Sequence, residues 1–350
     1  MRGFGAYLVV KAVWAKRQSG GDDMVATTKT KMAGVMFAVA VLLGGCSVGV
    51  TSQGSFDRSY DVKGPIKLEL ANASGSVRIS GSGDNKVHIH GEVRAHSFLF
   101  NDPEKQAREL SANPPIEQKP DIIRVGKSLH DFNGASIDYT IEVPRETEIS
   151  TTVASGSQSI SDVAGPVKVD SASGSIAVNK VDRAVQVNSA SGSITAQDLG
   201  DDFRASSASG SVSATNVKGD VRIHAISGSM TVAKPGARVQ AGTTSGSVDI
   251  TGAGNDVTAD SVSGRVSVQG NPSGNSYWNL KTTSGSVEVG VPASANFHLS
   301  ASAISGEIRT GIPVVIEDQD KHSLRARIGN AGGRVEIHTV SGGIRVQPAS

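Results

Sequence analysis

The chain has almost nothing with which to cross-link itself. One of its 350 residues is a cysteine, Cys46, so no disulfide can form within it. Aromatic residues make up only 4%, which points to a narrow interior with no room for large rings. Net charge is +1 and there is no basic run, so nothing in the composition supports nucleic-acid binding. No apolar stretch is long enough to cross a bilayer as a mature helix.

What the chain does have is glycine, 41 residues of it, on a fixed rhythm. The glycines of successive Ser-Gly pairs, Gly156, Gly174, Gly192, Gly210, Gly228, Gly246 and Gly264, recur every 18 residues. Gly285 and Gly306 follow at intervals of 21, and Gly342 comes 36 later. A period of this size belongs to a chain that winds, each turn stacked on the one before. Counting from Gly174, apolar residues stand at +2, +4, +11, +13 and +16: Ile176, Val178, Val185, Val187 and Ala190. Alternation of this kind marks strands with one buried face. Two strands per 18 residues, starting nine apart, predict an all-β fold, a β-solenoid of two short strands per coil. The second turn of each coil holds Gly165, Arg183, Asp201, Gly219, Ala237 or Asn255, a place suited to positive φ. About eleven coils stacked in sequence order from residue 150 onward would make a rod about 50 Å long.

Other periodic folds do not fit. Left-handed hexapeptide helices need an apolar residue every six positions. Calcium-binding nonapeptide rolls need a fixed aspartate in each turn, where this chain has Ser and Ala. The outward +3 row (Ser159, Ala177, Thr195, Ser213, Thr231, Asp249, Ser267) is too mixed for an ice-binding ladder.

Lys29 and Lys31 precede an apolar run from Met32 to Leu43 that ends Leu43-Gly44-Gly45-Cys46. A basic start, a short apolar stretch and small residues before a cut read as an export signal. The ending resembles the lipobox of bacterial lipoproteins, which implies cleavage before Cys46 and a lipid on it. Membrane contact is therefore expected through lipidated Cys46, and Ser47 at the next position resembles outer-membrane sorting. The chain divides into a signal region (1–45, with 1–23 read as preceding the true start), a tether (46–55), N-terminal coils with a capping excursion (56–150) and a regular solenoid (151–350). Within the excursion, Asp102-Pro103-Glu104 predicts a short helix to about Ser111, with Asp102 as its cap.

Together, the lipobox, the Ser-Gly-Ser-Val strand near residue 75, the strand Ile137-Asp-Tyr-Thr-Ile-Glu-Val-Pro144 and the iterated Ser-Gly-Ser-Val resemble the bacterial β-solenoid family provisionally named as adhesins, a domain family of unknown function. The resemblance covers roughly residues 56 to 350. It implies a right-handed β-helix of the cell envelope and brings no catalytic residue with it.

Chemistry-bearing residues are sparse. His88 and His90 share one strand face but have no evident third ligand, so no metal and no cofactor are expected. Arg204 and Arg222 stack one coil apart on an outward face, with Asp202 and Asp220 near, a pattern able to grip an anionic sugar. Loop insertions at Gly270 to Asn275 and Val291 to Asn296, with a charged excursion from Gly311 to Ser323, fall on one edge. They nominate Asn271, Asn275, Tyr277 and Asp318 for glycan binding, with Tyr277 outward and Trp278 inward. The expected role is adhesion, scaffolding or ligand display without catalysis, with envelope polysaccharide or another surface protein as partner. Two readings stay open beside it: a glycan-active β-helix enzyme, and a periplasmic protein-binding module in envelope stress signalling.

Overall fold

The computed structural model describes residues 51–96, 102–126, 135–272, 274–330 and 332–349. Cys46 and the signal region lie outside the described residues. Within the unit that begins at Val48, two long sheets of 14 and 15 strands lie back to back, joined coil by coil. Each regular coil gives one strand to each sheet, as with Val167–Ser173 and Ile176–Val181. Neighbouring coils pair in parallel and in register, Ile176 with Ile194 and Val185 with Phe203.

The +2, +4, +11 and +13 residues are buried throughout, as in Ile176, Val178, Val185 and Val187. A further apolar residue at +7 joins them, including Val163, Val181, Leu199 and Val217. It can do so because the residue before it has positive φ: Asp162, Lys180, Asp198, Asn216 and Lys234 all lie between 51° and 59°. This left-handed step reverses the alternation, so that +4 and +7 both point inward. The positive φ expected at Gly165 to Asn255 therefore falls three residues earlier.

The assignment of +16 needs the opposite correction. The strand runs unbroken from +11, so +15 faces in and +16 faces out. Ser171, Ser189, Ser207, Thr243 and Ser261 are buried, whereas Ala172, Ala190 and Ala208 are exposed. Two inward hydroxyls reach the glycine turn of the preceding coil: Ser261 Oγ donates to the Gly246 carbonyl (3.2 Å) and Thr282 Oγ1 to that of Gly264 (3.3 Å). The interior also admits rings, contrary to the compositional expectation, with Phe203, Trp278 and Phe297 fully buried.

Both ends depart from sequence order. At the N-terminal end the coil Lys67–Ser82 stacks directly on the coil beginning at Glu148. Between them the chain forms strands Thr51–Asp61, Lys86–His96 and Ala135–Pro144, the first two pairing antiparallel and the second antiparallel with the third. Residues 51–55, expected as tether, thus belong to an edge strand. The helix Pro103–Ala112 packs beside it, with the Asp102 carboxylate accepting from the amides of Glu104 (3.0 Å) and Lys105 (3.2 Å). At the C-terminal end the last coil, Gly333–Pro348, is inserted between Tyr277–Val291 and Phe297–Thr310. The intervening chain forms an antiparallel hairpin, Val315–Gln319 with Ser323–Ile328, on the outer side of Phe297–Ser305. Eleven coils stack in all, ten of them after residue 147.

Candidate functional site

Each coil ends its second strand in Ser-Gly, and the glycines form a column in which every turn amide donates to the next coil (Gly174 N–H to Ser191 O, 3.2 Å). The opposite corner is less constrained, and there the loops enlarge. After Gly270 the longer turn carries Asn271 and Asn275, both exposed. Asn275 joins Asn255, Arg238 and Asp256 around an open cleft of about 430 Å³. Arg238 Nη2 lies 3.4 Å from Asp256 Oδ2. The Tyr277 amide donates to the other oxygen of Asp256 (2.9 Å), which fixes the strand entry beside the cleft. Tyr277 is exposed, and its hydroxyl donates to Glu336 Oε2 at 2.5 Å. That hydrogen bond, with partial burial and the charge of Glu336, holds the phenol above its ordinary pKa. Next along the chain, Trp278 is fully buried and donates Nε1–H to the Asn255 carbonyl (2.9 Å). The sequence gave no signal for Glu336, Arg238 or Asp256 here, because only the stacking order brings them to Tyr277.

Asp318 does not join this group. It lies on the hairpin, four strand steps from Tyr277 by way of Gly333–Ser341, Phe297–Ser305 and Ser323–Ile328, or about 19 Å. The inserted coil is the cause. What sits between the two enlarged loops is the tight turn before Gly333, whose added Cβ would stand 2.8 Å from the Pro272 carbonyl. Asn296 ties the second loop to the same turn by accepting from the Asn330 amide (2.7 Å).

Arg204 and Arg222 are partners across neighbouring strands. Neither is free: Arg204 Nη2 lies 2.9 Å from Asp202 Oδ2, and Arg222 reaches Asp220 (2.8 Å) and Asp202 (3.6 Å). Two cations and two anions alternate here, so this face is a neutral ladder of exposed or half-exposed ion pairs, each of small net worth. His90 Nδ1 lies 2.8 Å from Asp57 Oδ1, with His88 outward on the same strand. Among the described residues, no three His, Cys, Asp or Glu side chains gather as a metal site.

One feature escaped the sequence reading because +16 was taken for core. In spatial order the outward residues two places before each glycine are Ala73, Ala154, Ala172, Ala190, Ala208, Ile226, Thr244, Val262, Thr283, Val340 and Ile304. Ile226, Val262, Val340 and Ile304 are exposed by 57%, 51%, 37% and 63%. The alanine half lines a shallow trough of about 590 Å³ that ends at Ile226.

Three solved structures show similarity at low identity. A protein from Clostridium sporogenes provisionally named for cell adhesion shares 11% identity over 85% of this chain and 100% of its own, with a TM-score of 0.22. A provisionally named adhesin from Bacteroides fragilis shares 14% over 84% of this chain and 98% of its own (TM-score 0.35). One from Parabacteroides merdae shares 11% over 68% of this chain and 92% of its own (TM-score 0.25). No curated protein matches the chain. Over residues 66–347, nearly the whole coiled stack, the chain matches the model of the Toastrack domain, DUF4097, and it belongs to that β-solenoid family of unknown function.

Proposed function

We propose that the chain is a non-enzymatic rod of the bacterial cell envelope, anchored through a lipid on Cys46, that binds glycan at the cleft beside Tyr277. The observation that supports this reading is the meeting of two amides (Asn255, Asn275), a guanidinium (Arg238), a carboxylate (Asp256) and an exposed aromatic (Tyr277) at one open corner. Sugars present hydroxyls to amides and charged groups, and apolar ring faces to aromatics. Binding is favoured over hydrolysis because the carboxylates here are engaged: Asp256 by Arg238 and the Tyr277 amide, Asp220 by Arg222, and Glu336 by the Tyr277 hydroxyl. A glycosidase needs two carboxyl groups facing each other across a bond, one of them able to give a proton. The test is a glycan array read with the wild type, Asn275→Ala and Tyr277→Ala. Retention that falls at least about tenfold in both variants supports the reading. Retention unchanged in both, or release of shortened glycan, counts against it.

A further inference from the structure

The geometry points to a second copy of this chain as the occupant of the outward apolar stripe, seated antiparallel about a two-fold axis at Ile226. The stripe holds eleven positions, and Ile226 is the sixth. On one side of it every residue is alanine, and there the trough lies. On the other side the residues are Thr244, Val262, Thr283, Val340 and Ile304, which stand out from the surface. A two-fold axis lying in the interface and across the rods sets each row against itself, reversed. Ala190 then meets Val262 of the partner copy, Ala154 meets Val340, and Ala73 meets Ile304. Every large residue outside the centre falls on a small one, and the shared coil spacing keeps the two ladders in register along their length.

The neighbouring outward row obeys the same operation. It runs Ala71, Thr152, Asp170, Asn188, Ser206, His224, Gly242, Asp260, Lys281, His338, Ser302. Reversal places Asp170 against Lys281 of the other copy. Lys281 is exposed and makes no ion pair within its own chain among the described residues. Ten steps of about 4.8 Å give a contact about 48 Å long, and two outward rows with their margins are about 14 Å wide. Each copy would therefore cover about 700 Å², about 1,400 Å² in total, within the range of specific dimers. Apolar patches of this extent on a monomer mark interaction surfaces.

Light scattering on the purified full chain, with protein mass separated from detergent by absorbance, tests the inference. The wild type is expected at twice the mass of one chain at about 50 μM. Ile226→Asp sets two like charges together at the axis, and should raise the dissociation constant at least about 30-fold, the effect of losing one central hot spot. Asp170→Lys and Lys281→Asp should each weaken the dimer, and the double reversal should restore it. Both positions face water in the single chain, so these variants remain informative if Ile226→Asp folds poorly. A monomeric wild type, a dimer indifferent to Ile226→Asp and to both single reversals, or a double reversal no stronger than either single one would overturn it.

Discussion

Gly192 sits on Gly174 so closely that a Cβ built on it would stand 2.1 Å from the carbonyl oxygen of Gly174. The same contact recurs up the column, from Gly75 through Gly156 to Gly285, Gly342 and Gly306. Both atoms in conflict are fixed to backbone, so neither can turn aside, and φ at Gly192 is +127°. Gly192→Ala should therefore destabilise the protein by about 3 kcal/mol or more, read as a lowered urea midpoint. A neutral outcome would mean that the turns are not in contact.

The left-handed step before each +7 residue carries strain wherever it is not glycine. Lys234 has φ of 51°, and Gly252 holds the same place in the next coil. A non-glycine residue in this region costs about 1–2 kcal/mol, part of which glycine returns through its freer unfolded chain. Lys234→Gly should stabilise the fold by up to about 1 kcal/mol, measured as a rise in melting temperature. Substitution of exposed Lys168, in ordinary strand geometry, should show no such gain.

Tyr139 is buried against Phe56, ring centroids 6.3 Å apart and edge to face. Its hydroxyl has no hydrogen-bond partner, and burial pushes its pKa up. A phenylalanine keeps the ring and removes the desolvated polar atom, so Tyr139→Phe should stabilise by about 1 kcal/mol. Trp278→Phe should act oppositely, by about 2 kcal/mol, because it opens a cavity and abandons the bond to Asn255. Equilibrium denaturation of the two variants reads both signs.

Asp320 caps the turn of the C-terminal hairpin, accepting from the amides of His322 (2.7 Å) and Ser323 (2.8 Å). These bonds, the His322 amide first, hold its carboxyl below the ordinary aspartate pKa. A depressed folded pKa contributes stability that is full above the unfolded value and is lost as pH falls through the folded one. Hydrogen exchange at the hairpin amides should therefore quicken, beyond its intrinsic pH dependence, as pH drops below the normal aspartate range. In Asp320→Asn that acid-dependent change should disappear.

The interior could be read from the chain to the extent that its period carries it. Positions +2, +4, +11 and +13 follow from simple alternation, and so did the inward place of Trp278. Position +7 could not be read that way, because one left-handed residue resets the parity and Lys180 or Asp198 does not announce such a φ. Position +16 misled because Ile226 and Val262 are core-forming types placed on an outward face. The inserted last coil was hidden for another reason. A repeat fixes the phase of Gly306 and Gly342, but every coil in phase is an equally good neighbour. Glu336 therefore met Tyr277 unforeseen, and Asp318 was placed too near.

The stacked coils and their order are tested together by spin-label distances along one outward row. With one label at Thr195, partners at Ser267, Glu288, Arg345 and Arg309 lie four, five, six and seven steps away. The expected distances are about 19, 24, 29 and 34 Å. Distances that fail to rise in even steps would contradict the stack, and Arg309 measured nearer than Arg345 would contradict the insertion of the final coil.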